Sequence, residues 1–238
     1  MSIKDAENKL FDKWRGSRAG FVSDGVISET EYMKSKPKIT FILKEVNDKD
    51  GGSWDLREFV SDGGRPQTWD NIARWVHGIR NITSVPKWDF FKDVTDDFRK
   101  ETLKSICAMN LKKSPGTHTA VHADLHKVAK EDKDYIKDQY ALYDPGITIC
   151  CGTGDLFKSI VNPETPKWKI TTRGVYWYKR GTGKFVVDFA HPEARVKSSL
   201  LVYGLLDAIR EIYTEIGVDV THTHPCELEA GNPTADSQ

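Results

Sequence analysis

The stretch "ITFILKEVND", residues 39–48, decides the fold. Ile39 to Leu43 is an apolar run with no polar alternation beyond Thr40. A strand that buries only one face alternates; a run like this one belongs to a strand covered on both faces. Lys44, Glu45, Asn47 and Asp48 then follow within five positions. A buried strand that releases four polar groups as it ends marks the edge of a sheet where chemistry can collect.

Working outward, comparable runs recur. "SICAMNL" (105–111) and "GITICCG" (146–152) read as further strands, and "RGVYWYKRGTGKFVVDFAHP" (173–192) reads as a hairpin turning through Gly181 and Gly183. Helical segments lie between them. Residues 5–15 carry Leu10, Phe11 and Trp14 on one side, and "SWDLREFV" (53–60) is a second helix. In "QTWDNIARWVHGI" (67–79), Trp69, Ile72, Ala73, Val76 and Ile79 recur at spacings of three and four. "HTAVHADLHKVAKEDKDYIKDQYALY" (118–143), "TGDLFKSIV" (153–161) and "SSLLVYGLLDAIREIY" (198–213) complete the set. Short apolar strands alternating with helices predict an α/β domain with a mostly parallel sheet. With no internal repeat or linker, residues 1–225 are expected to form a single domain, and 226–238 a disordered tail.

Composition narrows the function. The chain has 238 residues, 38% of them apolar, with 35 Lys+Arg against 35 Asp+Glu. A neutral balance excludes a uniformly basic protein but leaves room for a local basic groove. The four cysteines form no C-x-x-C pair, which argues against a zinc ribbon or a cysteine-ligated cluster. The charged N-terminus has no signal-peptide core, and no apolar run is long enough to span a membrane. A cytoplasmic protein without membrane contact, and a monomer, is the expectation.

In open α/β sheets, ligands bind beyond the carboxyl ends of the strands. Those ends read "KEVND", "NLKKSPG", "CGTGD" and "AHPEAR". Together they supply a carboxylate (Glu45), amides (Asn47, Asn110), cations (Lys112, Lys113, Arg195) and a histidine before proline (His191). Each has a plain reading too: Glu45 suits a salt bridge near Lys44, Asn47 and Asp48 suit a turn, and Asn110 suits a backbone contact.

In that order, "LKEVND", "AMNLKKSPG", "DPGITICCGTGDLF" and "FAHPEAR" resemble the uracil-DNA glycosylase superfamily over roughly residues 37–213. The resemblance implies a three-layer α/β/α sandwich and hydrolysis of the base–sugar bond of a flipped nucleotide in DNA, leaving an abasic site, with no metal or organic cofactor. It implies Glu45, Asn47 and His191 as catalytic residues. Asp48, Asn110, Lys112, Lys113, Gly152 and Arg195 would bind substrate, with the lysines on phosphates. Lys44 stands where the family has glycine, no proline follows in that loop, and the aromatic residue that excludes thymine is not in its usual place. These departures point from uracil toward a modified or bulky base, such as those of phage DNA, and so toward antiviral defence. Two rival expectations remain. One is a DNA- or nucleotide-binding module that performs no catalysis. The other is a metal hydrolase built on His118, His122 and His126, whose spacing places them in one row along a helix where three-way convergence fits poorly.

Overall fold

The computed structural model describes residues 1–16, 18–48, 51–116, 122–164 and 167–218. Seven strands form one sheet in the order β1-β3-β2-β4-β7-β6-β5. They are β1 Gly25–Val26, β2 Ile39–Leu43, β3 Ile106–Asn110, β4 Ile147–Cys151, β5 Lys169–Ile170, β6 Tyr176–Gly181 and β7 Lys184–Phe189. The central four, β3-β2-β4-β7, run parallel; β1, β6 and β5 add antiparallel edges. The chain is therefore mixed α/β, as its alternating pattern requires.

All five residues of β2 are buried, and their alternation assigns them to two cores. Ile39, Phe41 and Leu43 face one layer, built from α3 Leu56–Ser61, α4 Pro66–Arg80, α6 Asp96–Leu103 and α10 Ser198–Ile216. Ile42 faces the other, built from α1 Ile3–Arg15, α2 Glu29–Lys34, α7 His122–Glu131, α8 Lys133–Ala141 and α9 Gly154–Val161. A further short helix, α5 Trp88–Phe91, packs beside α4, and Phe91 of α5 joins the first core. Thr40 and Thr148 point into the second layer, where the hydroxyls of Tyr32 and Tyr140 lie 3.2 and 2.7 Å from theirs. Each buried hydroxyl thus keeps a partner, which is the condition for placing it in a core.

α4 begins with Pro66 at its first turn, where a missing N–H costs nothing. The predicted stripe of Trp69, Ile72, Ala73, Val76 and Ile79 is buried, and Trp75 joins it by donating from Nε1 to Leu201 O of α10 at 3.1 Å. α10 stops at Gly217, whose φ of 69° is the left-handed cap that glycine adopts without strain.

Three expectations change. The helix expected over 118–143 is two helices in its described part. They part at Asp132, which is 1% exposed and held at both carboxylate oxygens by Arg18. The first turn of "SWDLREFV" is not helical, because Asp55 caps α3 by accepting from Arg57 N at 2.8 Å. The strands β1 and β5 and the helices α2, α5 and α6 add to the expected set; β1 and β5 have two residues each, too few for a periodic signal. The tail expected over 226–238 lies outside the described residues. Among the described residues, no helix is long and apolar enough to cross a membrane.

Candidate active site

The register places Leu43 opposite Asn110 and Cys151 opposite Phe189, so the four parallel strands end at one level. β3 lies on one side of β2 and β4 on the other, so the chain reverses its direction of travel across the sheet here. Such switch points leave a crevice above the strand ends. A cavity of about 650 Å³ lies on this edge. It is lined by Glu45, Asn47, Asp48, Asn110, His191 and Arg195 of the expected set. Residues from three separate strand ends therefore meet.

Past their last paired residues, β2 and β3 stay side by side. Leu111 N donates to Leu43 O, Lys112 N to Lys44 O and Gly116 N to Val46 O, at 2.9–3.0 Å. This zipper fixes the Glu45 backbone. The Glu45 side chain is only 5% exposed. Lys112 Nζ stands 2.7 Å from Glu45 Oε2, which is buried. A Cβ on Gly116 would overlap Oε1, so this close approach requires glycine.

Asn110 is held through its backbone. Its N–H donates to Asp24 Oδ2 at 2.8 Å, and its carbonyl accepts from Lys113 Nζ at 2.9 Å. Its side-chain amide, with both donor and acceptor, lines the cavity and has no hydrogen-bond partner among the described residues.

His191 follows β7. Its Nδ1 accepts from Glu193 N at 3.1 Å, which leaves the proton of the neutral ring on Nε2. Burial pushes its pKa down; Glu193 opposes this, and Lys44 and Arg65 add to the fall. The ring is thus a neutral donor near pH 7. The loop that carries it is tied to α4: Arg65 and Thr68 both bind the Glu193 carboxylate, and Asn71 Nδ2 donates to Pro192 O at 2.8 Å. Burial alone would raise the Glu193 pKa, but Thr68 and Arg65 outweigh it and hold it low.

The far wall is aromatic, from Trp54, Phe59 and Trp69. Trp54 and Phe59 meet edge to face at 5.6 Å. Asp48 supports this wall by accepting from Trp54 Nε1 at 2.7 Å and Gly52 N at 2.8 Å, so it is a scaffold for the loop as well as a lining residue. Gly52 has φ of 92° and lies backbone to backbone on Gly20, an arrangement only glycine permits.

The structure does not bring every expected residue here. Lys113 is 1% exposed, with Nζ 2.6 and 2.7 Å from the two oxygens of Asp24 and 4.9 Å from the Trp14 ring. Burial lowers its pKa against the pull of Asp24, and no phosphate reaches it. Lys112 is committed to Glu45 and Asp124 rather than facing solvent. Gly152 does not line the cavity: its N–H donates to Phe189 O at 2.7 Å, and the start of α9 beyond it is filled by Asp188, which accepts from Gly154 N at 3.0 Å. Two basic residues of the hairpin, Lys184 and Arg180, lie at the other end of β7, where they pair with Asp144 ahead of β4. Glu45 is salt-bridged, as its plain reading had it, but by Lys112 rather than Lys44.

Sequence reasoning missed the aromatic wall, Arg65, Thr68, Glu193 and the lining role of His122. The spacing of Trp54 and Phe59 is not helical, so no stripe revealed them, and Glu193 sat unremarked in "AHPEAR". His122 and His126 are exposed on α7, and His118 lies outside the described residues. No protein-family model matches the chain, and no curated protein matches it.

Proposed function

We propose that this chain is a DNA glycosylase that hydrolyses the bond between deoxyribose and a modified or bulky base. One observation carries the reading: a buried carboxylate, an uncommitted amide and a neutral histidine donor, from three strand ends, line one cavity with an aromatic wall. The order of motifs in the sequence, which resembles the uracil-DNA glycosylase superfamily, supports it. In this reading the target nucleotide leaves the duplex and its base enters against Trp54, Phe59 and Trp69, with Asn110 bonding its edge. The C1′–N bond breaks and its electron pair leaves with the base. His191 Nε2–H donates a hydrogen bond to the atom where that charge grows. Glu45 faces the cationic sugar, accepts a proton from the attacking water as its oxygen bonds C1′, and Asn47 orients that water. Arg195, exposed at the rim, meets backbone phosphate.

The second reading, a module that binds DNA or a nucleotide without cleaving it, has one observation in its favour: Glu45 is already paired with Lys112. Incubation with DNAs carrying different modified bases, followed by mass analysis of free bases, separates the two. Release by the parent and loss of release in Glu45→Gln supports the glycosylase. Tight binding with no release from any substrate supports the module.

A further inference from the structure

A line of charge leads out of the cavity from Glu45 through Lys112 to Asp124. Lys112 Nζ is 2.7 Å from Glu45 Oε2 and 2.7 Å from Asp124 Oδ2. The first two side chains are 5% and 10% exposed, while Asp124, in the first turn of α7, is 50% exposed. We propose that Lys112 is a positioning residue that fixes the Glu45 carboxylate at the cavity wall, while Asp124 leaves the three-residue cluster with one more carboxylate than ammonium. The assignment rests on the glycosylase reading for its use in the reaction, but not for its geometry.

A carboxylate buried this far loses hydration and, left alone, would be neutralised by taking up a proton. A cation at ion-pair distance offsets that cost. A lone Lys–Glu pair, however, is neutral overall and gives little stabilisation to a positive sugar. Asp124 resolves the conflict: two carboxylates and one ammonium leave one negative charge, with Glu45 nearest the cavity. Burial works against the Lys112 ammonium, but Asp124 and Glu45 outweigh it and hold its pKa above the ordinary lysine value. Lys112 therefore stays charged and is not a nucleophilic amine at neutral pH. The other charged or titratable groups on this cavity are Lys44 and Asp48 on the segment of Glu45 itself, His122 on α7, His191 and Glu193 after β7, and Arg65 and Arg195 at the rim. Among the described residues, only Lys112 is at ion-pair distance from Glu45.

The test follows Glu45 protonation by carbon NMR of glutamate-labelled protein without DNA, with Glu45→Gln identifying its signal. In Lys112→Met, the pH at which Glu45 takes up its proton is expected to rise by about one unit or more, since an adjacent opposite charge is worth about one to three. Lys112→Arg is expected to undo most of that rise. Asp124→Asn, at a half-exposed site that tolerates exchange, is expected to move the midpoint down. It decides the matter alone if Lys112→Met does not fold. Midpoints unchanged from the parent overturn the assignment, whatever the activity. A parent that releases no base from any DNA defeats the glycosylase reading and leaves the titration result to decide this one. Where release is seen, the acid limb of kcat/KM is expected to move up in Lys112→Met along with the NMR midpoint.

Discussion

At the scale of single residues, the cavity separates groups that are spent from groups that are free. Lys113 is spent on Asp24, and Lys112 on two carboxylates. Asn110 is the reverse case, its backbone fastened and its amide left to the cavity. If that amide reads a base edge, Asn110→Asp exchanges a donor for an acceptor at a site built for hydrogen bonding. A mismatch of that kind costs about 1–3 kcal/mol, so preference between two bases is expected to shift about tenfold or more. Relative release rates across a panel of modified bases measure this. A fall by one common factor for every base would make Asn110 structural. Glu45, Asn110 and His191 were legible in the sequence because each sits where a buried strand ends, and strand ends share one edge. The pairing of Lys112 and Lys113 with carboxylates is not legible, because sequence shows charge but not burial. Their partners Asp24 and Asp124 lie in a loop and a helix whose approach to the strand ends no local pattern announces.

At the scale of elements, the geometry of the cavity is held by main chain. The segment after β2 is zipped to the one after β3, and the His191 loop is anchored to the start of α4. Gly116 is the tightest point of the zipper, since a side chain there would occupy the place of the Glu45 carboxylate. Gly116→Ala is therefore expected to displace the carboxylate. A shift of about 1 Å at a catalytic group lowers kcat about 100-fold. Thermal unfolding measured beside turnover shows whether the loss is local: a much reduced kcat with a small change in Tm is the expected result. The strands of the parallel core and the stripe of α4 were readable from periodicity. The zipper was not, because it is a backbone pairing between loops and leaves no trace in side-chain pattern.

At the scale of the whole molecule, zero formal charge is distributed unevenly. Arg180 and Lys184 of the hairpin lie at the opposite edge of the sheet, paired with Asp144, and Arg173 is paired with Asp207. Arg195 lines the rim, and Lys197, also exposed, stands just ahead of α10 two residues later. Replacing both with alanine is expected to weaken binding to all DNA sequences alike and to flatten the plot of log affinity against log salt by about one to two. An unchanged slope would move the DNA path elsewhere.

The central claim is that this edge of the sheet breaks a base–sugar bond with Glu45. Its most direct test is the quantity of free base released per minute from DNAs carrying bulky modified bases, measured by mass analysis for the parent and for Glu45→Gln. Release by the parent from at least one such DNA is expected, and release about 100-fold slower or more from Glu45→Gln with DNA binding retained. Equal rates for the two proteins, or no free base from any DNA tested, would contradict it.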